Sequence, residues 1–222
     1  MGIQQWPQAE RPRERLLAQG AEALSPAELL AILLRTGRRG LSAVDLARRE
    51  LDAHGDLQGL YSVAAPQLAQ RLGPAAACTL LAAVELGKRL LQDRLREGPV
   101  CARPEQLTTF LRGRLAQETV EVFLGLFLDN RLRLLACEEL ARGTLAGAAV
   151  YPREVVKRAL AHHAAAVIFA HNHPSGSRQP STEDRLLTER LAQALRLVEV
   201  RLVDHFIVGE GDVVSMAALG ML

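Results

Sequence analysis

The chain has 222 residues, 49% hydrophobic and 23% charged, with 27 Lys+Arg against 25 Asp+Glu. That length suffices for one or two domains with a sizeable core, and no apolar run reaches the roughly 18 residues of a membrane span. Thirteen basic and eleven acidic residues precede Pro99 and fourteen of each follow it, so neither half carries the basic excess of a nucleic-acid surface.

Residues 1–97 read as helical. Ser25-Pro26-Ala27-Glu28 is a helix start, with Pro at the first helical position and Glu where a capping box needs it. Leu29, Leu30, Ile32, Leu33 and Leu34 follow, and Gly37 and Gly40 end that helix. Val44, Leu46 and Leu51 predict a second helix, stopped at His54-Gly55. Leu80 through Leu91 predict a third, after Gly73-Pro74. At 98–104 the pattern lapses around Pro99 and Pro104, which reads as a linker.

The remainder, 105–222, changes character. A helix over Glu105–Ala116 leads to an apolar strand at Val120–Leu128, a hairpin turn at Asp129-Asn130 and a second strand at Leu132–Leu140. Pro152 opens a helix to about His162, and Ala165–Ala170 is a short buried strand. Thr182–Leu197 reads as helix, Val198–Val208 as strand and Val213–Met216 as a last short strand. The pattern is α/β in the mixed, α+β sense. Cys78, Cys101 and Cys137 have no paired spacing, and the opening Met-Gly-Ile-Gln-Gln-Trp is neither signal peptide nor acylation site, so a reducing cytoplasm is expected.

Chemistry concentrates in Ala170-His171-Asn172-His173-Pro174-Ser175-Gly176, followed by Pro180-Ser181-Thr182-Glu183-Asp184. His171 and His173 leave the end of a strand at spacing i, i+2, so both imidazoles project to one face. Pro174, Gly176 and Pro180 turn the chain back, and Ser181 N-caps a helix whose first turn holds Asp184. That spacing is also an ordinary capping box. Two His and one Asp make three metal ligands with a fourth position for water, and zinc in such a site is hydrolytic. The literal string His-Asn-His is a coincidence with the HNH nucleases, whose residues are spread along a motif. Asp204 and His205 alternate across a strand and cannot share a face, so His205 reads as structural.

The string H-x-H-P-S-G-x-x-x-P-S-x-x-D resembles the JAMM (MPN+) metalloprotease motif. Its flanks, Tyr151-Pro-Arg-Glu-Val155 and Asp204-His205-Phe-Ile-Val-Gly209, are similar to the RadC family, as are Arg11-Pro-Arg-Glu-Arg-Leu-Leu17 and Arg35-Thr-Gly37 in the N-terminal half. The resemblance implies a cytidine-deaminase-like JAB/MPN domain, a mixed sheet flanked by helices, over 105–222. It also implies a helix-hairpin-helix-like domain over 1–97. It places zinc ligands on His171, His173 and Asp184, and an intermediate-stabilising serine on Ser181.

The resemblance further implies an upstream glutamate acting on the zinc-bound water, for which Glu138 and Glu139 compete. Leu132, Leu134, Ala136, Glu138 and Leu140 share an otherwise apolar strand face, so Glu138 is the expected base and Glu139 a solvated ion-pair partner. The implied activity is zinc-dependent hydrolysis of a peptide or isopeptide bond in a protein substrate. The alternative is a DNA-associated repair accessory protein with a structural zinc, or an MPN scaffold that has lost activity. Against DNA, Arg71-Leu72-Gly73 lacks the first glycine of a Gly-x-Gly phosphate hairpin.

Overall fold

The computed structural model describes residues 5–143 and 150–222. The chain packs as two units, residues 1–87 and 88–222, with the division inside one helix.

The first unit holds α1 (Pro12–Gln19), α2 (Pro26–Leu34), α3 (Ala43–His54), α4 (Leu57–Tyr61), α5 (Ala65–Leu72) and the start of α6 (Pro74–Arg96). Ser25 caps α2 as expected: its N–H donates to Glu28 Oε2 at 2.8 Å while its hydroxyl accepts the Glu28 N–H. Leu30, Leu34, Val44, Ala47, Leu60, Leu68 and Leu80 form one buried core. The helices α4 and α5 are not among the expected elements, although Leu57 and Leu60, and Leu68 and Leu72, stand at helical spacing; Leu60 and Leu68 are fully buried. Between α5 and α6, Gly73 takes φ +88°, a conformation open chiefly to glycine. Arg71, in the last turn of α5, donates from Nε to Glu50 Oε2 at 3.0 Å, and Glu50 is buried.

The second unit continues with α7 (Pro104–Leu115), β1 (Val122–Leu128), β2 (Leu134–Arg142), α8 (Pro152–Ala161), β3 (Ala166–Asn172), α9 (Thr182–Arg196), β4 (Arg201–Val208) and β5 (Val213–Ser215). Its five strands form one mixed sheet in the order β2-β1-β3-β4-β5. β1 runs antiparallel to both β2 and β3, and α9 carries the chain across to the parallel β4. The fold is α+β, as the sequence indicated.

β1 reads as an unbroken apolar run because both faces of it are covered. Leu124, Leu126 and Leu128 pack against Phe110, Leu111 and Leu115 of α7. Phe123 and Phe127 pack with Phe169 of β3, Val155 of α8 and Leu191 of α9. Residues 98–104 are bound into this unit: Val100 is buried and its N–H donates to Leu132 O at 2.8 Å. The turn after β1 is longer than two residues, because Asp129 Oδ1 accepts from the N–H groups of both Arg131 and Arg133 while Leu132 takes φ +58°. Among the described residues, no helix is long and apolar enough to cross a membrane.

Candidate metal centre

Val167, Phe169 and His171 alternate onto the face of β3 that α8 and α9 cover, which places the His171 ring at the end of a buried strand. His173 follows two residues on, its N–H donating to Val208 O at 3.0 Å. The chain then folds back over the end of β4, where Glu210 N–H donates to Gly176 O at 2.9 Å. Gly209 makes that approach feasible: a Cβ there would sit 2.5 Å from Arg178 Cγ and 2.8 Å from Gly176 O. Ser181 caps α9 and delivers Asp184 in its first turn.

His171, His173 and Asp184 converge. The two Nε2 atoms are 2.9 Å apart, His171 Nε2 is 3.1 Å from Asp184 Oδ1, and His173 Nε2 is 3.3 Å from Asp184 Oδ2. Ligands at about 2.0–2.1 Å around a tetrahedral ion stand roughly 3.3–3.4 Å apart, so these separations suit one such ion. The proton inventory agrees. His173 Nδ1 donates to Ser177 O at 3.0 Å, and His171 Nδ1 faces His205 Nε2 at 2.9 Å. With its proton on Nδ1, a neutral His173 ring turns the Nε2 lone pair toward the His171 ring and a carboxylate, an arrangement completed by a cation or an added proton.

Ser181 holds the carboxylate in place. Its N–H and its hydroxyl each donate to Asp184 Oδ2 at 2.7 Å, while its Oγ accepts the Asp184 N–H at 3.0 Å. Burial pushes the Asp184 carboxyl up, but its contacts with the His171 and His173 rings, the His171 charge and the bond from the Ser181 hydroxyl outweigh it and hold Asp184 well below the usual carboxylate range. The bond to Asp184 raises the His173 imidazole against the opposing effect of burial, with the Asp184 charge, the Ser177 carbonyl and the Glu121 charge adding to it.

Glu138 is not brought to this group. It shares a face with Ala136 and Leu140, while Leu132 and Leu134, expected on that face, fall into the opposite core across a register shift. Its carboxylate turns to α8, with Oε1 2.8 Å from His162 Nε2 and Arg158 Nε 3.1 Å from Oε2, off the hydrogen-bond direction. His162 packs on Phe127, four residues along β1 from the Phe123 that pairs with His171, a distance of about 13 Å at strand rise. Glu139 lies on the opposite face, 2.8 Å from Arg142. The carboxylate whose charge reaches the group is Glu121, one step before β1 and in phase with Phe123. The sequence carried that signal in the alternation of Glu121, Phe123, Gly125 and Phe127.

His205 is also closer to the site than expected. It is fully buried on β4, between Thr188 and His171, with the edges of its ring near Phe123 and Phe169. Burial drives its imidazole well below the ordinary histidine value, reinforced by the His171 charge. A cleft of about 790 Å³ lined by Arg185, Glu189 and Arg201 includes Thr188 but none of the three converging residues.

A mixed sheet with helices on both faces, and a His-x-His pair joined by an Asp from the following helix, define a JAB-type domain with residues suited to a metal ion. The family described as RadC-like JAB domain matches residues 101–221, and the one described as UPF0758 N-terminal matches residues 3–78. The chain belongs to this RadC-like family. It is 55% identical to a UPF0758 protein of Halorhodospira halophila and 55% identical to one of Ectopseudomonas mendocina, covering all of both chains in each comparison. A UPF0758 protein of Nitrosomonas europaea is 50% identical over the same extent.

Proposed function

We propose that residues 105–222 form a zinc-dependent hydrolase of the JAMM type, cutting a peptide or isopeptide bond in a protein substrate. The observation that carries this reading is the three-ligand spacing of His171, His173 and Asp184, which leaves one coordination position open. Structural zinc is normally enclosed by four protein ligands, mostly cysteines. When bound, zinc supplies Lewis acidity toward a carbonyl and lowers the pKa of its water toward about 7.

The chain's own residues do the rest. Ser177 O holds the His173 ring with Nε2 toward the site, and Ser181 holds Asp184 by two bonds to Oδ2. Because the Ser181 hydroxyl proton is engaged there, its first role is to position the ligand; donating to an oxyanion requires it to turn away. Glu121 is the carboxylate placed to accept a proton from an attacking water. His173, 15% exposed at its side chain, marks the side on which substrate enters. The DNA-accessory reading has less support, since Arg71 at the hairpin is bonded to Glu50. Three unpaired cysteines support a reducing compartment.

The test is metal content of the full chain together with cleavage of peptide and isopeptide libraries, with and without chelator. One zinc per chain and chelator-sensitive cleavage are expected. Stoichiometric zinc in both His171→Ala and Asp184→Ala would overturn the ligand assignment.

A further inference from the structure

We infer that Thr188 and His205 are positioning residues that fix His171 with its proton on Nδ1 and its Nε2 lone pair turned toward His173 and Asp184. The inference rests on the metal-centre reading above and extends it to two residues outside the ligand set.

The argument is a count of protons. Thr188 has one hydroxyl proton, and its Oγ1 contacts the Asp184 carbonyl, His205 Nδ1 at 2.7 Å and, much more distantly, Met216 Sδ at 3.8 Å. A carbonyl oxygen can only accept, so the Thr188 proton goes to Asp184 O. The contact to His205 is therefore an Nδ1–H donating to Thr188 Oγ1. With its proton there, neutral His205 presents a bare Nε2, 2.9 Å from His171 Nδ1. His171 must donate across that gap, which leaves its own Nε2 free for the site. Reversing the chain would require a second proton on Thr188.

Burial tightens the count, because bulk water is largely shut out: His205 is 0% exposed and Thr188 and His171 1% each. The rings are also fixed in orientation. Phe123 stacks on His171 with centroids 5.9 Å apart and planes 13° from parallel, and meets His205 edge-on at 5.3 Å. The chain of bonds starts on the backbone of one proposed ligand, Asp184, and ends on the ring of another. It ties α9 to β3 through β4, so both ligands are held by one network.

The test combines nitrogen NMR of the histidine rings in the metal-stripped full chain at pH 8 with zinc affinity measured by chelator competition. Wild type and Thr188→Ser should show His171 protonated on Nδ1. Thr188→Val and His205→Leu should lose that fixed tautomer and bind zinc about 10- to 100-fold more weakly, the range found when such outer partners are removed. His205→Gln, whose amide can accept from His171 and donate to Thr188, should recover most of the affinity. If His205→Leu fails to fold, the nearly isosteric Thr188→Val carries the comparison. His171 protonated on Nε2 in wild type would overturn the inference, as would folded Thr188→Val with affinity within twofold of wild type. Wild type that binds no zinc while His171 keeps its proton on Nδ1 supports the relay and sinks the metal centre instead.

Discussion

Glu138 and His162 are bonded to each other, Oε1 to Nε2 at 2.8 Å, across the gap between β2 and α8. A carboxylate so engaged, turned toward α8 and bonded there, fastens a helix to a strand. Glu121→Gln should therefore lower any hydrolysis by about two to four orders of magnitude with zinc content intact, the range general-base loss implies. Glu138→Gln should leave the rate within a few-fold and lower the melting temperature. Reversal of the two phenotypes in kinetic and calorimetric assays would return the role of base to Glu138.

The ligand set predicts a graded metal response. His171→Ala and Asp184→Ala should retain little zinc by elemental analysis, while Glu121→Gln retains about one equivalent. Loss of zinc in Glu121→Gln would make that residue a ligand.

Ser181 serves the helix and Asp184 with the same atoms. Ser181→Ala should cost about 1 kcal/mol in urea unfolding, the usual loss for an N-cap, and weaken zinc binding as well. Ser181→Thr keeps the hydroxyl and should restore both. An alanine variant with full zinc affinity would show that the helix alone positions the carboxylate.

In the N-terminal unit, Arg71→Ala should destabilise the chain by about 1–3 kcal/mol, because it leaves the buried Glu50 carboxylate without its donor. Duplex DNA should not bind the full chain tightly at physiological salt. A shift assay showing submicromolar binding with a steep salt slope, abolished in Arg71→Ala, would make this arginine a phosphate contact.

Burial pushes the Cys137 thiol up to about 11. An unfolded thiol loses its proton near 8.5, so between the two values the folded chain holds the extra proton and stability falls as pH rises. The loss by pH 11 is at most about 3 kcal/mol. Urea titrations of wild type and Cys137→Ala at pH 7, 9 and 10.5 should diverge in the alkaline range. Parallel curves would place Cys137 in contact with water.

Several of these relationships were readable before the fold was known. The i, i+2 histidines and the Ser181 cap are local patterns, and local geometry enforced both. The apolar run of β1 was legible because two covered faces leave no polar position in it. Glu121 is harder to read although it falls inside the expected strand Val120–Leu128, because the acidic pair in β2 stands within a more obvious alternation. The bond from Thr188 to His205 spans 17 residues and that from His205 to His171 spans 34. Only the stacking of α9, β4 and β3 creates them, and no short-range pattern encodes that.

The seat of the His173 loop on Gly209 has a consequence for the order of assembly. Zinc fingers are chains whose fold exists only while the ion is present. Here the loop is fastened to the end of β4 by backbone bonds and by a contact too close for any side chain at Gly209. The cost of bringing the imidazoles and the carboxylate together is thus met by sheet and helix packing. Stripping the ion should leave the circular dichroism and the cooperativity of melting almost unchanged, and reloading should proceed at the rate of ion entry, with no refolding phase. Gly209→Ala, which forces the loop off its seat, should slow reloading and broaden the ligand geometry while the sheet beneath stays intact.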